Sequence, residues 1–348
     1  MAASYPSSLR VAIVCPAPAG SRLGNRITAL RWKDILVGLG HDADIVDDVD
    51  ANAANASYDL LIALHAGKSA HAVRTSRVRF PDRPIIVALT GTDLYRDILV
   101  DDAARTSLDL ADRLVVLHDL APLDVPAAVR DKVHVIRQSA DPPPAATGDT
   151  SPSLASLASL ASLAHDERFD IAFVAHARPE KDPLRPALAV RALPPSSRIR
   201  ILHAGRALSP EMDAQLTREA SDNDRYVWLG ELAPDDARAL LARSKLAVLT
   251  SVLEGGANVL GEAVIAGTPP IASRIPACVA ALGTDYPGLF PVRDTAALTA
   301  VFARAESDAA FYDELRAASH ARRELFVPSA EQEAWRRLLA ECTACAPR

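Results

Sequence analysis

The stretch TSVLEGGANVLGEAVIAGTPPIAS, residues 250–273, sets two glutamates, Glu254 and Glu262, into a segment that is otherwise small and apolar. The apolar run ending near Thr250 reads as a strand, Gly255 and Gly256 as the loop after it, and 259–266 as a helix. Asn258 is the expected N-cap, and Gly267 ends the helix before Thr268-Pro269-Pro270. The glycines let backbone approach a ligand closely, and the open amides and dipole of a helix start suit a phosphate. Glu262 lies one turn into a helix of Val, Leu, Ala, Ile and Gly, where a carboxylate is costly unless it accepts hydrogen bonds. A vicinal diol such as a ribose supplies two donors in the right fork. Glu254 falls on the other side of the phosphate position, where it could meet sugar hydroxyls. The competing reading makes both glutamates solvated charges on a capping loop. What surrounds the stretch decides between the two.

Working outward, short apolar runs alternate with helical patterns. Strands are expected at 9–16, 58–65, 84–91, 112–118 and 132–138, with a further candidate in DADIV and a helix over 25–40 that ends in glycine. The alternation restarts at 169–176, 198–205, 225–231, 245–251 and 269–273. Continuous apolar strands separated by helices predict parallel sheets covered on both faces. The reading is therefore α/β, with two doubly wound domains. Domain boundaries are expected at 1–141 and 169–328, with 142–168 as a low-complexity linker. That linker, DPPPAATGDTSPSLASLASLASLAHDE, carries prolines and a Ser-Leu-Ala repeat. A last helix over 329–342 opens at Ser329, carries Trp335, Leu338 and Leu339 at helical spacing, and is expected to pack back towards the first domain within 329–348.

Ligands of such folds bind at the carboxyl ends of strands. Those ends carry His65, Thr90, Asp93, His118 and Gln138 in the first domain, and His176, Arg206, Glu231, Ser251 and Glu254 in the second. Two domains on one linker would face each other across a cleft.

Composition bounds the partners. A chain of 348 residues, 49% hydrophobic, suits two domains with sizeable cores. A net charge of −6 without a long basic run argues against nucleic acid or an anionic membrane as the main partner. The N-terminal apolar run is too short for a signal peptide, and no stretch reaches the ~18 apolar residues of a membrane span. A cytoplasmic protein without a membrane anchor is expected. Cys15, Cys278, Cys342 and Cys345 make no disulfide framework at this length.

Some signals are set aside. The Asp-x-Asp in DDVD (47–50) reads as a solvated acidic loop rather than a metal site, because basic groups and helix amides can do the metal's work. Cys342-x-x-Cys345 supplies only two ligands and reads as two incidental thiols rather than half a zinc site or a redox pair. Gly20 and Gly24 form no G-x-G-x-x-G.

The E-x7-E spacing of Glu254 and Glu262 resembles that of retaining, GT-B-fold glycosyltransferases of family 4. In VAHARPEKDP (174–183), aligned on PEK, Lys181 matches the family's phosphate-binding lysine. His176 stands where that family usually has arginine, with Arg178 close by, and VIRQSAD (135–141) replaces the usual VIPNGVD. GNRITALRW (24–32), LIALHAGKSA (61–70) and ALTGTDLYRDI (88–98), with the His-x-Arg…Glu-Lys-Asp-Pro pattern, resemble more narrowly the selenosugar synthases of selenoneine biosynthesis.

This resemblance implies a GT-B fold of two Rossmann-like domains and transfer of a sugar, by retention, from a UDP-sugar (UDP-GlcNAc or UDP-glucose) to selenophosphate, forming a carbon–selenium bond. No cofactor and no metal are implied. The UDP-sugar would lie against Glu262, Glu254, Gly255, Gly256, Ala257, Asn258, Val259, His176, Arg178, Lys181, Arg206, Glu231 and Gly24. The acceptor would meet Asn25, Arg26, Lys68, His65, Thr90, Gly91 and Thr92. Glu254, Lys181, His65 and Asp93 would carry the catalysis. Two plainer readings stay open: Gly24, Asn25 and Arg26 as a helix start capped by Asn25, and His65, Lys68, Thr90 and Asp93 as satisfied strand-end polar groups. Rival functions are hexosyl transfer to an alcohol, a UDP-sugar 2-epimerase on the same fold, and a silent nucleotide-sugar binder.

Overall fold

In the computed structural model, residues 8–49, 58–144 and 168–344 are described. The Ser-Leu-Ala repeat and most of the expected linker, Asp50 of the acidic tetrad, and Cys345 lie outside the described residues.

Runs of Val, Ile, Leu and Ala form β1 (Arg10–Val14), β2 (Asp42–Val46), β3 (Leu60–Leu64), β4 (Ile85–Leu89), β5 (Arg113–Val116) and β6 (Val133–Val135). They make one parallel sheet in the order β2-β1-β3-β4-β5-β6. Side chains alternate between its faces. Val11, Ile13, Leu60, Ile62 and Leu64 build one core, and Ala12, Val14, Leu61, Ala63, Ile85 and Val87 build the other. Both faces need cover, which is why these strands read as unbroken apolar runs. The helices are α1 (Gly24–Gly38), α2 (Ala70–Arg79) and α3 (Asp102–Leu110).

The second sheet is β7 (Phe169–Val174), β8 (Ile199–Ala204), β9 (Tyr226–Trp228), β10 (Leu246–Leu249), β11 (Pro270–Ser273) and β12 (Leu289–Phe290), in the order β12-β11-β10-β7-β8-β9. Its pairs are parallel too. An Arg200–Asp170 fork, both bonds 2.8 Å, fixes the register of β7 on β8. The helices here are α4 (Arg185–Arg191), α5 (Pro210–Asp222), α6 (Pro234–Arg243), α7 (Asn258–Ala266), α8 (Pro276–Leu282), α9 (Thr295–Ser307) and α10 (Ala309–His320). Strand β12 was not expected: two residues are too short to show a pattern.

By contacts the chain divides into Met1–Gln138 with Glu254–Gly256 and Pro328–Arg348, and Ser139–Leu253 with Ala257–Val327. The first division falls three residues before the expected boundary at 141. The last helix, α11 (Pro328–Ala344), starts one residue before the expected Ser329, on a proline whose missing N–H costs nothing there. It belongs to the first unit, where Trp335 meets Trp32 edge-on at 4.8 Å and Glu331 Oε1 accepts the Trp32 indole N–H at 2.8 Å.

Candidate active site

In the second unit β7 pairs with both β8 and β10, so the strand order reverses there. Loops leaving the carboxyl ends of β7 and β10 therefore flank a crevice of the kind that binds ligands in doubly wound sheets. The loop after β7 makes one 3-10 turn, Pro179–Lys181, closed by Asp182 in the left-handed region (φ 45°). Arg185 Nε donates to Asp182 Oδ2 at 2.8 Å. The loop after β10 is stitched to this turn. Thr250 Oγ1 donates between the carbonyls of Lys181 (2.9 Å) and Asp182 (3.0 Å), and the Val252 amide donates to Glu180 O at 2.9 Å. The lysine segment and the start of the two-glutamate segment, some seventy residues apart, thus meet within one unit.

His176, Arg206 and Glu231 stand at the ends of β7, β8 and β9. The Arg206 amide donates to His176 Nδ1 at 3.3 Å, which leaves the ring proton on Nε2, 3.7 Å from Glu231 Oε1. Arg206 Nε lies 3.9 Å from the other Glu231 oxygen. The histidine that replaces an expected arginine is therefore a ring held against a carboxylate. Arg178 is half-buried, and its carbonyl accepts the Lys181 amide at 2.9 Å. Below them His203 bridges Ala175 O (2.9 Å) and the Tyr226 hydroxyl (2.5 Å). Burial pushes its pKa down to about 4, so it is neutral and structural.

The two-glutamate segment corrects the expected helix cap. Asn258 is not the N-cap of α7: it is the first helical residue, and Ala257 caps the helix in the left-handed region (φ 49°) without a side-chain hydrogen bond. The left-handed turn falls on Ala257, while Gly255 and Gly256 have ordinary φ. The glycines are demanded by the protein's own packing, not only by a ligand. A Cβ on Gly255 would overlap the Thr90 carbonyl, and one on Gly256 would overlap Gln138 Oε1. Glu254 is buried with them, and by its contacts Glu254–Gly256 belongs to the first unit. In the second unit Glu262 and Val259 are half-buried on α7.

In the first unit the order reverses between β1 and β3. The loop after β1 leads to α1, which starts at Gly24 with Leu23 as its N-cap, so Asn25 is a first-turn residue and not the cap. Arg26 is half-buried beside Cys15, and its Nε is buried without a hydrogen-bond partner among the described residues. The loop after β3 carries His65, buried, and Lys68, exposed.

Asp93 is wholly buried and takes amides from Ala66 (3.0 Å), Thr90 (3.0 Å) and Gly91 (2.8 Å). Burial pushes its carboxyl up, opposed by His65 and by the amides of Ala66, Gly91 and Leu94. Its lone pairs are spent on the backbone, which makes it an anchor for the loop after β4. The same bonds consume the Thr90 and Gly91 amides that were expected to cradle an acceptor. Thr92 keeps its hydroxyl, 3.1 Å from His65 Nε2.

His118 and Gln138 turn inward as well. His118 Nε2 lies 2.7 Å from the Tyr95 hydroxyl and Nδ1 accepts the Ala121 amide; burial brings its pKa to about 4. Gln138 Nε2 donates to Thr28 Oγ1 at 2.6 Å. Sequence reasoning missed Asp97, whose Oδ2 lies 3.4 Å from His65 Nε2. The signal was its place four residues after Asp93, on the same face of a helical turn.

Among the described residues no group of three or more His, Cys, Asp or Glu could hold a metal ion, and no helix is long and apolar enough to cross a membrane. Cys342 is buried in the first unit's core.

Residues 168–308 match the family described as Glycosyl transferases group 1. No curated protein matches in sequence. Among solved structures, sucrose-phosphate synthase from Thermosynechococcus elongatus is similar over 97% of this chain and 99% of its own, at 17% identity and TM-score 0.76. Anabaena HepE in complex with UDP and glucose is similar over 96% and 100%, at 17% identity and TM-score 0.72. A glycosyltransferase from Rickettsia africae is similar over 97% and 99%, at 13% identity and TM-score 0.69. The chain has the GT-B fold of these neighbours, and its residues 168–308 carry the sequence pattern of the group 1 glycosyl transferases.

Proposed function

We propose that this protein is a retaining glycosyltransferase that takes a sugar from a UDP-sugar. The observation that carries the reading is the stitching of the Lys181 turn to the segment that leads into Glu254 and Glu262. A cation and a helix N-terminus at one sheet crevice are what a leaving diphosphate needs, because its charge grows as the glycosidic bond breaks. Glu262 on the first turns of α7 suits a ribose diol. HepE, of the same fold, was solved with UDP, UDP-glucose and glucose, which supports the donor class.

The acceptor we propose is selenophosphate, which arrives anionic and needs no base. Arg26 and Lys68 near the end of β1 and β3 support an anionic acceptor. A second reading, hexosyl transfer to an alcohol, is favoured by Asp97, a half-buried carboxylate on the acceptor side, since a neutral hydroxyl must give up a proton as it attacks.

Mass spectrometry of UDP-GlcNAc and UDP-glucose reactions, with selenophosphate, with simple alcohols and with neither, separates them. A selenosugar product supports the first reading. Efficient glycosylation of an alcohol with selenophosphate ignored moves the protein to the second. Conversion of the UDP-sugar with no acceptor present would make it an epimerase, and binding without turnover a silent binder.

A further inference from the structure

His65 holds a left-handed backbone (φ 73°), which a non-glycine residue keeps only where its surroundings fix it. Those surroundings are specific. The His65 amide donates to Ala88 O at 2.8 Å, and its carbonyl accepts the Ser69 amide at 3.0 Å. Its ring is buried, and Nδ1 lies 3.3 Å from the Lys68 amide. An amide N–H can only donate, so Nδ1 is an acceptor and the neutral ring carries its proton on Nε2. That N–H faces two oxygens, Thr92 Oγ1 at 3.1 Å and Asp97 Oδ2 at 3.4 Å. Asp97 is itself held by Arg96 Nε, 2.9 Å from its other oxygen.

Neither ring nitrogen of His65 is left for a substrate. Thr92 and Asp97 are both half-buried, while His65 is buried, and the amides of Thr90 and Gly91 are committed to Asp93. A hydroxyl that accepts from His65 keeps its own hydrogen for another partner.

We infer that Asp97 is a positioning residue: its carboxylate keeps the His65 ring proton on Nε2, where the nearer Thr92 oxygen accepts it, so that the Thr92 hydroxyl donates its own hydrogen to an oxygen of the acceptor. This rests on the glycosyl-transfer reading and holds for a phosphate oxygen or a hydroxyl alike. His65 is then a positioning residue too, and not the general base that its place at a strand end suggests.

The test is steady-state kinetics of Thr92→Val, Thr92→Ser, Asp97→Ala and the Thr92→Val/Asp97→Ala double variant, beside nitrogen-15 spectra of the histidine rings in the full chain. Thr92→Val and Asp97→Ala should each raise the acceptor KM about tenfold, the loss of one neutral hydrogen bond, with the donor KM unchanged. Thr92→Ser should restore it. The double variant should be no worse than Thr92→Val, since both act through one hydroxyl. His65 should show a proton on Nε2 and a bare Nδ1. Additive losses, or transfer with an unchanged acceptor KM in the variants, overturn this inference and leave the glycosyl-transfer reading intact. So does a His65 ring protonated on Nδ1, which is read without any turnover. A wild type that transfers no sugar to any acceptor overturns that reading and this one with it.

Discussion

At the residue scale the proposed donor site is tested first at Glu262 and Lys181. Glu262 sits half-buried near the start of α7, where the proposed reading places the ribose of the donor. Glu262→Ala should remove hydrogen bonds worth about 1.5–3 kcal/mol each to a charged group. UDP affinity measured by calorimetry should fall at least tenfold with the fold intact, and unchanged binding would remove Glu262 from the donor site. If Lys181 meets the leaving diphosphate, as proposed, it acts where charge develops, and its truncation should show in turnover more than in donor binding. Lys181→Ala should lower kcat by roughly 100-fold, and wild-type activity should survive EDTA. Complete loss in EDTA would assign the diphosphate charge to a metal instead. What the sequence carried about these residues was chemical type and place along a strand end. It could not carry partners, such as Glu231 beside the His176 ring or the three backbone amides on the oxygens of Asp93.

At the scale of elements the strands were legible because parallel sheets bury both faces and leave unbroken apolar runs. Their ends were placed up to three residues too far, since the polar residues that follow belong to the loops. Caps were the weakest reading. Asn25 and Asn258 have the right side chains, but Leu23 and Ala257 have the backbone angles that put them at the helix starts.

Two buried histidines, one from each unit, make the elements sensitive to acid. His118 in the first unit and His203 in the second have pKa values near 4 when folded, against about 6.5 in an open chain. The unfolded chain therefore binds protons first as pH falls below about 6.5. Stability should be full above that pH and should drop down to about pH 4, by roughly 3 kcal/mol for each histidine. Urea melts at pH 7 and pH 5 measure the loss. His203→Gln, which keeps a hydrogen-bonding side chain but cannot take a proton, should flatten its share, and an unchanged slope would show that another group carries it.

At the scale of the whole molecule the chain is not two consecutive beads. The first unit is built from residues at both ends of the sequence, with Trp335, Leu338 and Leu339 of α11 inside the same core as Trp32, Ile35 and Leu36 of α1. Trp335→Ala should cost about 3–5 kcal/mol, the range for emptying a large buried aromatic site, and should lower the melting temperature of the first unit's own transition. Loss confined to the second unit's transition would contradict this assignment of α11. The pairing of Trp32 with Glu331 and Trp335 also sets a timetable. A ribosome delivers the amino-terminal piece of this core first and its closing helix last, after the entire second unit has emerged. Until then Trp32, Ile35 and Leu36 of α1 lack the side chains of Trp335, Leu338 and Leu339 that share their core.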